Sequence, residues 1–174
     1  MNWQEIVHSR TLDSKTGEPF SACHFCGKSL NHGDFYVIAK AFDKGRLVME
    51  AVQCLACQQN ASGYISAQSA ENIQLFAGKR FVKYMEQDDF SGTYEPVEVK
   101  CLFTDEELSV YDSVELYSMH MPWSGDQPYF FVGPTAIEMM SDLLSEETRK
   151  FWERYMEQLD PVSPEHVLSP MFLK

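Results

Sequence analysis

Four of the five cysteines in this 174-residue chain form two pairs, and two residues separate the cysteines within each pair. The pairs are Cys23 with Cys26 and Cys54 with Cys57, and residues 27–53 lie between them. Zinc favours four thiolates in a tetrahedron, and a two-residue spacer lets one tight turn offer two sulfurs to the same ion. Gly27 follows the first pair and supplies the positive φ that such a turn commonly requires. The spacing therefore predicts one structural Zn²⁺ per chain, with these four cysteines as its ligands.

Other uses of the four cysteines stay open on the sequence alone. They could be reduced thiols without a metal, or a redox pair, although the βαβ context of a thioredoxin-like motif is missing. An iron–sulfur cluster also takes four cysteines, so the spacing does not separate zinc from iron. His24 and His32 lie near the first pair, but four thiolates already fill a tetrahedron, so neither is expected to bind the ion. A filled tetrahedron also leaves no open position for hydrolytic chemistry at the metal.

The stretch between the two pairs predicts a β-hairpin. Residues 34–42 and 46–54 are rich in β-forming side chains, and a short turn at residues 43–45 separates them. Such a hairpin carries the chain away from the first cysteine pair and returns it to the second. A bound metal ion would then tie the two ends of the hairpin together.

A helix is predicted after the second pair. Within residues 69–87, apolar side chains recur every three or four residues, and Gly78 is the one interruption. Two CxxC pairs with a knuckle, a hairpin and then a helix resemble the treble-clef and zinc-ribbon group of zinc-binding proteins over residues 20–90. The resemblance implies a fold and a metal but no activity, because that group hosts many unrelated functions. In a treble clef, Cys54 would end a strand and Cys57 would begin a helix.

The second half of the chain predicts helices. Thr104 with Glu107 forms a capping-box pattern at the start of a helix over residues 104–117. Residues 134–161 predict two helices, or one helix broken near Ser145. Thr135 with Glu138 would cap the first part and Ser145 the second.

Short strands are expected at residues 97–103 and 128–133, and the prolines of the last residues predict an extended tail. The predicted fold class is therefore α+β. A zinc-binding region at residues 1–90, built of a zinc knuckle, a β-hairpin and a helix, precedes a mainly helical acidic region with short strands at residues 91–174. The second region packs on its own or as one unit with the first.

The net charge of −12 is distributed unevenly along the chain. Residues 1–90 carry nine lysines and arginines against ten acidic residues, whereas residues 91–174 carry five against sixteen. Nucleic-acid binders present a basic footprint to phosphate, and this chain has none on the scale of a domain. The local cluster Lys79, Arg80 and Lys83 is expected to pair with carboxylates of the acidic half. Nucleic acid is therefore not the expected partner.

The sequence also predicts where the protein is found. No apolar run approaches the roughly 18 residues that a membrane-spanning helix needs. The first ten residues include Glu5 and Arg10 and lack the apolar core of a signal peptide. We therefore expect a cytoplasmic protein without a membrane partner. In that compartment thiols stay reduced, and paired cysteines more often bind metal than form disulfides.

One short sequence recurs. Tyr-Met-Glu-Gln stands at residues 84–87 and again at residues 155–158. No second cysteine pair accompanies the later copy, so we interpret the recurrence as chance similarity between two helix ends.

Three functions remain in view. The first is a zinc-stabilised adaptor that binds another protein through an apolar patch, around Trp123 and Phe130 or on the C-terminal tail. The second is an enzyme with a dispersed active site around His120, in an aromatic-rich loop, and Cys101; no GxSxG, P-loop or HExxH motif supports it. The third is a nucleic-acid-binding regulator. It requires one basic face, to which the candidate contributors are Lys28, Lys40, Lys79, Arg80 and Lys83.

Overall fold

The computed structural model describes residues 1–86, 99–123 and 127–157. Its centre is a four-stranded sheet in the order β2-β1-β3-β4, and every pair of neighbouring strands is antiparallel. The strands are β1 (Tyr36–Asp43), β2 (Arg46–Cys54), β3 (Val114–His120) and β4 (Tyr129–Val132). The helices are α1 (Trp3–His8), α2 (Leu55–Ser62), α3 (Ala67–Ile73), α4 (Lys79–Met85), α5 (Pro134–Asp142) and α6 (Glu146–Met156). The predicted α+β class is confirmed.

The predicted hairpin between the cysteine pairs is present as β1 and β2. Its loop consists of Lys44 and Gly45, which both have positive φ, at 50° and 71°. Two positive φ angles are the mark of a type I′ turn, whose twist matches that of paired strands. The register places Tyr36 opposite Cys54, so the open end of the hairpin lies at the second cysteine pair.

The helix predicted at residues 69–87 is also present, in three segments. Ser66 caps α3 by accepting a hydrogen bond from the Ser69 amide. A π-helical turn over Gln74–Gly78 then joins α3 to α4. Gly78, which interrupts the apolar pattern, is the last residue of that turn and has helical dihedral angles, so the helical path continues through it.

The helix predicted at residues 104–117 is wrong. Residues 100–107 form a tight turn closed by the bridge between Lys100 and Glu107, so Glu107 does not act in a capping box. The chain then enters β3, and all seven of its residues are buried. A strand buried on both faces shows no alternation of polar and apolar residues, and Leu108, Tyr111 and Val114 stand at helical spacing, so the local pattern favoured a helix. His120 is therefore the last residue of β3 and not part of a loop.

The other predictions for the second half have mixed outcomes. Two helices do break at Ser145, which caps α6 by accepting a hydrogen bond from the Thr148 amide. The cap of α5 is Gly133 and not Thr135, because Pro134 occupies the first helical position. The strand at 128–133 is present as β4, whereas Lys100 and Cys101 form only isolated bridges. Pro161 and the tail lie outside the described residues.

The sheet joins the two regions that the sequence analysis separated. β1 from the first region pairs with β3 from the second along seven residues, from Tyr36 opposite His120 to Phe42 opposite Val114. The main apolar core packs on this sheet, and a smaller core surrounds the cysteines. The helices that the structure describes include none that is long and apolar enough to span a membrane.

Candidate metal centre

The first cysteine pair lies in a tight hairpin at residues 21–30, which we call the first knuckle. The Cys23 amide donates a hydrogen bond to the Lys28 carbonyl at 2.8 Å, and the Gly27 amide donates to the Cys23 carbonyl at 2.9 Å. Gly27 has a φ of 69°, as the sequence predicts. This turn places Cys23 and Cys26 side by side, since both side chains project from the same short bend.

The second cysteine pair lies where β2 passes into α2. Cys54 is the last residue of β2 and the N-cap of α2, and Cys57 belongs to the first turn of the helix. The knuckle is fastened to β2 by a hydrogen bond from the His24 amide to the Val52 carbonyl, at 3.0 Å. The Cys54 amide also donates to the Cys23 Sγ at 3.4 Å. These contacts bring the two pairs together.

The four sulfur atoms form a compact group. All lie within 4.8 Å of one another, and the Sγ atoms of Cys26 and Cys54 are 3.8 Å apart. Four thiolates about 2.3 Å from a central zinc ion would have their sulfurs about 3.8 Å apart. The spacing is thus compatible with a mononuclear tetrahedral site. Among the described residues, this is the one group of three or more potential ligands close enough to share an ion.

The cluster is enclosed on one side and open on the other. Cys23 and Cys54 are buried, Cys57 is half-buried and Cys26 is exposed. The apolar shell consists of Phe20, Leu30, Ile38 and Val52. Helix α6 adds a cover from the second half of the chain, because Tyr155 stacks on Phe25 with the ring centroids 4.5 Å apart. Tyr155 also accepts a hydrogen bond from Gln53, the neighbour of Cys54.

The surroundings shift the acidity of the thiols in both directions. Burial raises the pKa of the Cys23 and Cys57 thiols, whose thiolate forms lose hydration. A hydrogen bond from the Lys28 backbone lowers the pKa of the exposed Cys26 thiol. A metal ion that binds here must therefore displace protons from the Cys23 and Cys57 thiols.

The histidines near the cluster have other roles. The His24 ring packs edge-on against Phe20, at 5.4 Å between centroids, and is not part of the sulfur group. His120 stacks on Tyr36 at 4.5 Å. Its Nε2 lies 3.1 Å from the His32 carbonyl, which can only accept, and its Nδ1 lies 3.2 Å from the Gln127 side-chain nitrogen. Each ring nitrogen of His120 thus has a polar partner, and the side chain joins two loops.

Cys101 and His120 lie far apart along the direction of the strands. Cys101 forms a bridge with Phe131 of β4, which pairs with Leu116 of β3. His120 is four residues further along β3, about 13 Å at the usual strand rise. The alternative of an active site that combines these two residues therefore lacks the close approach of Cys101 to His120 that it needs.

The predicted apolar patch is only partly present. Phe130 is buried, where it stacks on Tyr117. Trp123 is 73% exposed and lies parallel to the Phe35 ring, with the centroids 6.1 Å apart. Phe130 belongs to the core because its ring packs against those of Phe81, Tyr84 and Phe103. Trp123 lies beyond the end of β3.

Three of the candidate cations are held by carboxylates. Lys28 contacts Asp34 at 2.7 Å, and Arg80 pairs with Asp105 of the second region, as predicted for its cluster. Lys40 is buried at 1% exposure and contacts Glu50 at 3.0 Å. A single basic face cannot include Lys40, because its charge is neutralised inside the protein.

The buried pair Lys40–Glu50 is a feature that the sequence reasoning missed. The Glu50 carboxylate also accepts hydrogen bonds from the amide and hydroxyl of Ser14, and Lys40 donates to the Leu12 carbonyl. A signal was present, because each apolar strand of the predicted hairpin has one charged residue near its middle. The contact of Tyr155 with Phe25 had no such signal, since the two residues lie near opposite ends of the chain.

Comparison with known proteins adds no relative. No protein-family model matches the chain, and neither a curated protein nor a solved structure matches it. The resemblance to treble-clef and zinc-ribbon proteins therefore rests on the four clustered cysteines and on the order of the elements around them.

Proposed function

We propose that Cys23, Cys26, Cys54 and Cys57 hold one structural Zn²⁺ and that the fold it stabilises serves as an adaptor for another protein. The observation that carries the metal proposal is the sulfur geometry, with Cys26 and Cys54 3.8 Å apart and all four sulfurs within 4.8 Å. An iron–sulfur cluster places several irons and sulfides between its cysteines, which requires wider spacing. The compact group favours a single ion.

A structural role follows from the ligand set. Four thiolates complete the tetrahedron that zinc prefers, so no position remains for a water or substrate. The site also lies at the junction of the first knuckle, β2 and α2, so one ion would hold these three elements together. Binding energy at such a junction becomes folding energy.

The adaptor part of the proposal is supported by Trp123. An exposed tryptophan that stacks on a second aromatic ring, here Phe35, offers a large apolar surface at a fixed orientation. Tryptophan is among the residues that contribute most to protein–protein interfaces. The enzyme and nucleic-acid alternatives have less support, because Cys101 and His120 are apart and three candidate cations are paired.

The metal proposal is tested with two matched variants. Cys54→Ala and Cys101→Ala each remove one thiol from a buried position. We expect one zinc per chain in the wild type and in Cys101→Ala, and none in Cys54→Ala, by elemental mass spectrometry. The free energy of unfolding should fall by more than about 4 kcal/mol in Cys54→Ala, since the loss of a structural metal exceeds ordinary substitutions. Unchanged metal content in Cys54→Ala would refute the proposal.

The adaptor proposal is tested by crosslinking in cells of the native host. A photoreactive phenylalanine analogue replaces Trp123 in one strain and Tyr111, which is 76% exposed, in another. We expect a discrete protein adduct from position 123 and none from position 111. Adducts of the same pattern from both positions, or from neither, would argue against a partner at Trp123.

A further inference from the structure

The turn at residues 99–108, which we call the second knuckle, repeats the first knuckle bond for bond at a constant offset in residue number. Cys101 takes the place of Cys23, and Asp105 takes the place of Gly27 with a φ of 60°. Each of three backbone hydrogen bonds of the first knuckle has its counterpart. In the first knuckle the amides of Cys23, Gly27 and Leu30 donate to the carbonyls of Lys28, Cys23 and Ser21, in that order. In the second knuckle the amides of Cys101, Asp105 and Leu108 donate to the carbonyls of Glu106, Cys101 and Val99. All six distances lie between 2.8 and 3.0 Å.

The same offset continues into the strands. The turn after each knuckle is closed by an aspartate carboxylate that accepts from the amide three residues earlier, Asp34 from Asn31 and Asp112 from Ser109. β1 begins at residue 36 and β3 at residue 114. The two strands pair antiparallel with Ala39 opposite Tyr117, and these two residues are themselves equivalent by the same offset. A two-fold axis through this pair exchanges the halves.

After the β1–β2 hairpin and its equivalent, the β3–β4 hairpin, the offset in residue number grows by one. The reason is that residues 114–133 are one residue more than residues 36–54. Cys54 caps α2 and Gly133 caps α5, while Ser66 caps α3 and Ser145 caps α6. The last two caps meet across the axis with their hydroxyls 3.0 Å apart. Their amides bond reciprocally, Ser66 to the Thr148 hydroxyl at 3.0 Å and Ser145 to the Ser69 hydroxyl at 2.8 Å.

Each half also covers the knuckle of the other with an aromatic side chain. Tyr155 stacks on Phe25 of the first knuckle. The equivalent pair is Phe76 with Phe103 of the second knuckle, with the centroids 6.1 Å apart. The helices are thus exchanged between the halves, as in a dimer joined into one chain.

We propose that this protein is a fused pseudo-dimer of one knuckle–hairpin–helix unit, in which the second unit has lost its metal site and closes without an ion. The four ligand positions become Cys101, Thr104, Gly133 and Ala136. A Cβ on Gly133 would lie 2.2 Å from Glu106 Oε1 and 2.5 Å from Leu108 Cδ2. The second knuckle therefore packs directly on the start of α5, where the first unit has its sulfur cluster.

The amino-acid sequences of the two units show little similarity. The equivalent positions share few residues, among them the pairs Cys23 with Cys101 and Phe25 with Phe103. The recurring Tyr-Met-Glu-Gln does not follow the offset of the knuckles and helices, so it is not part of the repeat. Tyr155 corresponds to Phe76 and not to Tyr84.

Hydrogen exchange with and without metal tests the loss of the second site, and this test rests on the proposed zinc in the first unit. Peptides that cover residues 21–30 and 99–108 are followed by mass spectrometry in the full chain, before and after treatment with a chelator. We expect exchange in the first knuckle to accelerate at least tenfold more than exchange in the second, because local opening at the emptied site adds to any global loss of stability. Equal acceleration in both knuckles, or a second metal ion that Cys101→Ala removes, would overturn the proposal.

Double-mutant cycles test the symmetric packing without reference to metal. Alanine replaces Phe25 and Tyr155 in one cycle, and Phe76 and Phe103 in the other. We expect the double variant of each cycle to shift the unfolding midpoint by less than the sum of its single variants. Additive shifts for Phe76 and Phe103 would refute the exchange of helices. A chain that binds no metal would instead refute the structural-zinc proposal, and the cycles would still decide the repeat.

Discussion

The cysteine thiols determine how the proposed metal site responds to pH. Burial raises the pKa of Cys23 and Cys57, so both are protonated at neutral pH in the metal-free chain. Metal binding must release these protons, and each released proton makes the affinity rise about tenfold per pH unit below the thiol pKa. We therefore expect the zinc affinity to rise about a hundredfold or more from pH 6 to pH 7. Competition with a chromophoric chelator measures it, with Cys101→Ala as the control. An affinity independent of pH would contradict this expectation.

Lys40 and Glu50 show how one buried charge depends on another. Burial lowers the pKa of Lys40, while Glu50 opposes that shift. In Lys40→Met, Glu50 keeps its bonds from Ser14 but loses its counter-charge, so we expect a loss of about 3–5 kcal/mol of unfolding free energy. Urea denaturation measures it. Adding Glu50→Met should recover part of the loss, because the uncompensated carboxylate is removed. A double variant less stable than Lys40→Met would contradict this explanation.

At the scale of elements, Gly133 decides how closely the second knuckle approaches α5. A methyl group there would overlap Glu106 and Leu108, so one of the two must move. We expect Gly133→Ala to lower the unfolding free energy by about 1–3 kcal/mol, the usual range for overpacking. Gly33→Ala is the control, since no atom lies within 4 Å of its added Cβ. Equal effects of the two substitutions in thermal unfolding would contradict the close approach.

Elements also show where local patterns mislead. The hairpin turn at Lys44 and Gly45 and the cap at Ser145 were predictable, because their causes lie within a few residues. Residues 114–117 lay in the helix predicted at residues 104–117, yet they form the first part of β3. The decisive factor was the pairing with β1, whose residues lie in the first half of the chain and carry no local signal.

At the scale of the molecule, the pairing of β1 with β3 links the two halves through their centre. Neither half can lose its strand without exposing the main core, so we expect the described fold to unfold in one cooperative transition. Differential scanning calorimetry should give a ratio of van't Hoff to calorimetric enthalpy of about 1. Two resolved transitions would mean that the halves are stable separately, in spite of the shared sheet.

The sequence by itself determined the features whose causes are local. These are the two cysteine pairs, the hairpin between them, the helix that follows, and the helix break at Ser145. Only the tertiary structure decided that β3 is a strand, that Lys40 and Glu50 share a buried site, and that the halves repeat each other around a two-fold axis. The physical reason is the same in each case. These features depend on contacts between residues that are distant in the chain, and hydrogen-bond geometry preserves such a repeat after the side chains have diverged.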